Sequence, residues 1–448
     1  MNTLTSEYEL LENAFFGTGG FKDGCYLIQH KRETTENYST RKEIAYYLNY
    51  LKPIVGSHVN PIFRKEADRN IEKSGKLFQR FLADVDGAGA GMHGFMKMAA
   101  LTAKLKQVAF IVVDNDREVA TRRSEELQDR KMPYCYIIDA SRIEDLKMDK
   151  HKRLKEITYT ITDPDDKNKT AYKTWTEVSW EEWRKTSDQG GRGVIASGEH
   201  GLGVLPIAPL FGAKPKPGDY LPEPDFYQIA KICQRIYNLR SEIDEAMRNQ
   251  AFNVLTYPGT DLKSLGIGTN NALGYDPEAR HKPDFIAPDT APMEEQRKDL
   301  SLLISEIYRM AQLSFATGVQ EQKSGVAKAW DFEDTNTTLT DFADNCEEVE
   351  RRIALIFGKY VNESSLEYTP SYPDEFGVID VQAELDEVSS ALYLNIGGKF
   401  NKEIKKKAAR SVFHKNKELV GEIEADIDQM QEDEIQAEGE DGQSGMQD

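Results

Sequence analysis

Gly89, Gly91 and Gly94 spell GxGxxG, and Asp114 lies twenty residues beyond the last of them. In a dinucleotide site this spacing brings backbone amides to a pyrophosphate and an acid to a ribose hydroxyl. That chemistry requires the glycines to leave a strand and open a helix. Here they follow a helical apolar stripe (Leu77, Phe78, Phe81, Leu82), and the strand-like VAFIVVDN comes afterwards. The glycines therefore read as a turn between two helices.

Carboxylate pairs occur at Asp84/Asp86, Asp114/Asp116 and Asp426/Asp428, and each could offer oxygen ligands to a divalent cation. Such pairs are expected by chance in a chain with 76 acidic residues. DPDDKN has three acids but lacks the glycine and distal glutamate of a calcium loop, and reads as a hairpin turn. The histidines (His30, His58, His93, His151, His200, His281, His414) are dispersed, and His200, in GEHGLG, reads as a loop histidine. HExxH, GxSxG and GxxxxGK[ST] do not occur. Cys25, Cys135, Cys233 and Cys346 form no CxxC and read as reduced thiols. No catalytic residue, cofactor site or metal site is expected, and the chain reads as something other than an enzyme.

Length and charge narrow the class. At 448 residues the chain should hold several packed units. Hydrophobic residues make up 39% and charged residues 30%, with a formal net charge of −19. That charge disfavours a protein that grips nucleic acid along its phosphates, though not one that touches DNA without holding it. The N-terminal MNTLTSEYELLENAFF lacks the pattern of a signal peptide, and the apolar run Val108 to Val113 is far too short to span a bilayer.

The elements that would carry these residues follow from periodicity. A loose polar start precedes a kinked helix, or two short ones, between Thr40 and Lys65, interrupted by Pro53. The glycine turn then leads to a helix over His93 to Lys106 and the strand VAFIVVDN. From Met132 to Trp183 the pattern changes to period two and predicts antiparallel β structure. The Gly- and Pro-rich stretch from Gln189 to Pro224 contains one buried strand, GVLPIAPLF. A helix after Asp225 carries Phe226, Ile229, Ile232, Ile236, Leu239, Ile243 and Ala246 at three-four spacing. A short β-prone segment follows, then a helix with Leu300, Leu303, Ile304, Ile307 and Met310. The polar SFATGVQEQKSGVAKA reads as a loop ahead of a helix with Leu339, Phe342, Cys346, Val349, Ile353, Ile356 and Tyr360. SLEYTP is strand-like. Helices follow at about Val381–Leu394, Asn401–His414 and Glu418–Met430, and the lysine- and arginine-free end reads as an acidic disordered tail. Periodicity alone makes the long helices ordinary packing helices. Their order, with two helices flanking a compact β segment, is that of a stalk with a tip, a shape that gains from many copies side by side in a ring.

From about Arg41 to Glu434 the chain resembles the portal proteins (head-tail connectors) of tailed bacteriophages. The resemblance is carried by the order of NYLKPIVGSHVNPIFRK, DVDGAGAGMHGFMKMAALTAKLKQVAFIVVDND, KMPYCYIIDASRIEDL, HGLGVLPIAPLF, FYQIAKICQRIYNLRSEIDEAM and KSGVAKAWDFEDTNTTLTDFADNCEEVERRI, ending in DEVSSALYLNIGGKFNKEIKKKAARSVF. It implies an α+β portal fold: a wing over 1–222 and 329–378, stem helices over 223–252 and 290–313, a small β-containing clip over 253–289, a tunnel loop over 314–328, a helical crown over 379–435 and an acidic tail over 436–448. It further implies a dodecameric ring at the capsid vertex that passes double-stranded DNA during packaging and ejection. The implied partners are the large terminase, a head-completion adaptor, and the scaffolding and major capsid proteins, with no membrane. The implied location is the virion, with assembly in the host cytoplasm. DNA contact would fall to Gln320, Gln322, Lys323 and Lys328 of the tunnel loop, with Ser324 and Gly325 making its turn, inside an acidic lumen. A tail or baseplate component, or a nucleotide- or metal-dependent enzyme built on GAGAGMHG and the aspartate pairs, are the competing readings.

Overall fold

The structure, a computed structural model, describes residues 3–69, 75–115, 132–186, 191–250, 254–256, 284–286, 291–312, 325–363, 366–373, 376, 388–394, 396–413 and 419–429. The fold is α+β. Residues Met1–Phe376 form one compact unit and Gly377–Asp448 a second.

The first unit is organised by one strand. β2 (Val108–Asp114) is buried along its whole length and lies between β3 (Tyr134–Asp139) and β9 (Ile207–Phe211), antiparallel to both. Side chains alternate across a strand, so each face of β2 fills a different core. Ala109, Ile111 and Val113 enter a core shared with α4 (Lys76–Ala83), α5 (Met92–Lys106) and the long α8 (Gly325–Tyr360). Val108, Phe110 and Val112 enter a second core formed with α1 (Thr3–Phe16), α3 (Leu51–Val59), α6 (Tyr227–Gln250) and α7 (Ala291–Met310). The expected stripe of α4 (Leu77, Phe78, Phe81, Leu82) is buried, as is that of α8 from Leu339 through Phe342, Cys346, Val349 and Ile353 to Ile356, while its last member, Tyr360, is partly buried.

The period-two region forms a five-stranded antiparallel meander, β4 (Ile143–Met148) through β5 (Leu154–Thr162), β6 (Thr170–Trp175) and β7 (Ser179–Lys185) to β8 (Arg192–Glu199). Ile157, Tyr159 and Trp175 turn one face of it into the second core. DPDDKN is the connection between β5 and β6, whose ladder closes at Thr162 and Thr170.

Three segments differ from the sequence-based expectation. The start of the chain is not loose: α1 buries Tyr8, Leu10, Leu11, Ala14 and Phe15. β8 lies in the stretch expected to hold one strand, because pairing with β7 overrides the weak strand propensity of Gly193 and Gly198. The break between the two short helices falls at residues 45–50, between α2 (Thr35–Ile44) and α3, rather than at Pro53. Pro53 sits in the first turn of α3, where a missing N–H removes no helical bond.

β1 (Asp68–Arg69) and β12 (Pro370–Ser371) pair over two residues, and β10 (Val254–Thr256) pairs with β11 (Asp284–Ile286) between α6 and α7. In the second unit, residues 388–393, α9 (Gly398–Val412) and residues 419–429 are helical.

Candidate functional site

The glycine motif is a closed turn. Gly87 and Gly89 have φ of +69° and +101°, the left-handed region that favours glycine, and Gly91 is the N-cap of α5. The Asp86 carboxylate accepts the N–H groups of Ala88 and Ala90, and that of Asp84 accepts the N–H of Gly89. These three amides are already occupied, and against the opposing effect of burial the bonds from Ala88 and Ala90 hold the Asp86 carboxyl below its ordinary range. A Cβ built on Gly89 or Gly94 would meet nothing within 4 Å, so no neighbouring side chain or backbone requires glycine at these two positions by crowding.

The other candidates for chemistry are likewise engaged in holding the fold. Asp114 faces Lys173 at 3.2 Å, while Asp116 lies outside the described residues. Asp428 pairs with Lys402 and Lys406. His200 bridges the end of β8, its Nε2 3.1 Å from the Thr176 carbonyl and its Nδ1 accepting the Leu202 N–H. Among the described residues no group of three or more His, Cys, Asp or Glu is placed to hold a metal ion, and no helix is long and apolar enough to cross a membrane.

The helix pair expected to form a stalk is present. α6 turns Ile229, Cys233, Ile236 and Tyr237 into the second core, and Leu300, Leu303, Ile304, Ile307 and Tyr308 of α7 pack against that core. Arg235 and Asp299 stand 3.8 Å apart across the pair. The β10–β11 ladder lies between the two helices in the chain, and the remainder of the expected 253–289 segment is outside the described residues. α7 has only one fully buried residue, Ile307, and leaves Leu302 65% exposed. The two helices carry equal numbers of acidic and basic residues, so the acidic excess of the chain resides elsewhere.

A clasp that periodicity did not reveal fastens the N-terminal segment across α6. Asn238 accepts the Ile28 N–H at 2.7 Å and donates to the Tyr26 carbonyl at 2.9 Å. Buried Arg41 donates to both oxygens of Glu33 at 2.8 Å, to the Ile28 carbonyl and to the Ser241 hydroxyl of α6. Those bonds hold the Glu33 carboxyl below the usual carboxylate range.

The segment expected to contact DNA is anchored at its start. His58 Nε2 lies 3.0 Å from the Ala311 carbonyl, and the Gln312 carbonyl, in a left-handed residue (φ +56°), accepts from Thr335 of α8. The ten residues of α8 before Thr335 thus project about 15 Å past this anchor at the helical rise. Gln320, Gln322, Lys323 and Ser324 lie outside the described residues. Gly325 and Lys328, expected in the loop and its turn, are instead in the first turn of α8. The physical reason is local: Ala327, Lys328 and Ala329 are strong helix formers, and the helix they start runs on unbroken into the buried stripe. His58 and Thr335 were not legible as anchors, since neither lies near residues 311–312 in sequence.

No family model matches the sequence, and no curated protein matches it. Among solved structures, the chain is similar to a chain of the neck of an empty gene transfer agent particle (C6 symmetry), with TM-score 0.43, 10% identity, and coverage of 81% of this chain and 89% of that one. It is similar to a chain of the native gene transfer agent virion, with TM-score 0.42, 12% identity and coverage of 86% and 94%. A third likeness is to a chain of the neck of the native particle (C12 symmetry), with TM-score 0.43, 11% identity and coverage of 88% and 98%.

Proposed function

We propose that this chain is a portal-type subunit: a structural ring protein at a capsid vertex that passes double-stranded DNA during packaging and ejection. The observation that carries the reading is the helix pair α6–α7 around the β10–β11 ladder, with the face of α7 away from the core, Leu302 included, exposed in a single copy. A helix that leaves Leu302 exposed and buries one residue in twenty gains cover when copies stand side by side. On this reading the stem is 223–252 and 290–313, the clip 253–289, the tunnel segment 314–328 with its last four residues opening α8, the wing 1–222 and 329–378, and the crown 379–435. With equal numbers of acids and bases, α6 and α7 would give a passing phosphate backbone neither a run of cations to bind nor a strong barrier. Terminase and a head-completion adaptor would dock at the clip, and scaffolding and major capsid proteins at the wing. The glycine turn speaks against the nucleotide-enzyme reading, because it follows the helix α4 rather than a strand, and the Ala88, Gly89 and Ala90 amides are taken by Asp84 and Asp86.

Negative-stain microscopy and mass measurement of the purified full chain test this. The expected result is a closed ring with a central hole, of about twelve chains. A monomer or a compact dimer at all concentrations would overturn the reading.

A further inference from the structure

The second unit contains a basic helix lying against an acidic one. α9 carries Lys399, Lys402, Lys405, Lys406, Lys407 and Arg410 against a single acid, Glu403. Lys399, Lys402, Lys406 and Arg410 recur every three or four residues and so share one helical face. Residues 419–429 form a helix whose Glu422, Glu424, Asp426 and Asp428 have no basic neighbour within it. Lys402 and Lys406 both lie 2.7 Å from Asp428, and Arg410 pairs with Glu424. The higher-numbered cation meets the lower-numbered acid, so the two helices run antiparallel. Ile404, Ile423 and Ile427 are half-buried. Among the described residues no acid is ion-paired with Lys399 or Lys405. Lys402, Lys406 and Arg410 are thus matched by two carboxylates at a partly exposed contact.

We infer that the lysine-rich face of α9 is a binding face for the phosphate backbone of duplex DNA, and that helix 419–429 is its built-in, displaceable cover. From Lys399 to Arg410 the helix extends about 16 Å. Over that length a duplex presents roughly nine or ten phosphate charges, against the two carboxylates the cover uses. A polyanion of that charge density competes well with two carboxylates in partly exposed ion pairs, which salt still screens. The contact is sequence-independent, since nothing in a lysine face reads base edges. The inference rests on the portal-type reading only for the identity of the polyanion.

The test measures binding of the full chain and two variants to random-sequence duplex DNA across a salt series. E424Q/D428N removes the two carboxylates with which the cover pairs to α9 while leaving the cations. K402Q/K406Q/R410Q removes the cations. The first variant is expected to bind more tightly at low salt than the unaltered chain, with a plot of log K against log salt steeper by roughly two to three, one unit for each cation released. The second is expected to lose that binding. Equal affinities for the unaltered chain and E424Q/D428N, or retained binding by K402Q/K406Q/R410Q, would overturn the inference. Hydrogen exchange gives a readout that does not rely on substitution. DNA should speed exchange in 419–429 and slow it on the cation side of α9, and no change in either helix sinks the idea. Microscopy of the same samples separates the two readings. Rings that do not respond to DNA leave the portal-type reading standing and remove this one, whereas a ring-less chain that binds through α9 does the reverse.

Discussion

His58 reaches from α3 to the Ala311 carbonyl, at the point where the chain leaves α7, and it does so from a nearly fully buried position. Burial, helped by the neighbouring Lys104 charge, lowers its pKa from 6.5 to about 4, with the bond to Ala311 opposing. Its Nδ1 has no hydrogen-bond partner among the described residues, so a second proton would find no acceptor there. The unfolded chain therefore binds a proton between pH 4 and 6.5 that the folded chain refuses, and stability must fall as pH drops through that window. Between pH 7 and pH 5 this group should cost on the order of 2 kcal/mol. Urea unfolding of the unaltered chain and of His58→Gln at both pH values checks this. The variant should lose less stability on acidification, and parallel losses would refute the assignment to His58.

At the scale of elements, β1 and β12 meet over only two residues each, too few to hold a ladder by themselves. The pairing is held by α8. Glu350, fully buried, receives a bidentate bond from Arg69 of β1 and hydrogen bonds from the hydroxyls of Tyr368 and Tyr372, which flank β12. Burial first and the Glu350 charge second push the phenols of both tyrosines well above their ordinary value, so they remain donors. Removing the carboxylate strands a buried guanidinium and two hydroxyls. Glu350→Ala should destabilise the chain by about 3–5 kcal/mol. A denaturation midpoint within error of the unaltered chain would show that water or a neighbour replaces the carboxylate.

For the molecule as a whole, the proposed channel function depends on geometry that a single copy only begins. Residues 313–324 join an anchored Gln312 to Gly325, about 15 Å further along α8 at ten helical residues. Lys323 in this connection and Lys328 on the first turn of α8 would offer transient contacts to passing phosphates. Replacing both by glutamate should leave rings intact under the microscope and lower the amount of DNA packaged or retained by a reconstituted motor. Packaging at the unaltered level would remove these two lysines from the channel role.

The sequence alone determined the elements whose signal is local. The VAFIVV run dictated a strand, and the three-four stripes placed α4, α6, α7 and α8. The order helix, glycines, helix already argued against a nucleotide loop. Local signal failed in two segments for different reasons. α1 has Tyr8, Leu11 and Phe15 at helical spacing, but the polar residues between them leave no stable helix until α3 and α6 cover that stripe. β8 carries two glycines, and only the ladder to β7 makes it a strand. Most of what surrounds the candidate site was beyond sequence reading altogether. Arg41 finds Ser241, Arg69 finds Glu350 and His58 finds Ala311 across 200 or more residues. Composition assigns such residues to the surface, because burying a charge or an imidazole is costly until its partner is in place. That partner exists only once the chain has folded, so only the tertiary structure could decide which polar side chains hold the helix pair and anchor the segment beyond it.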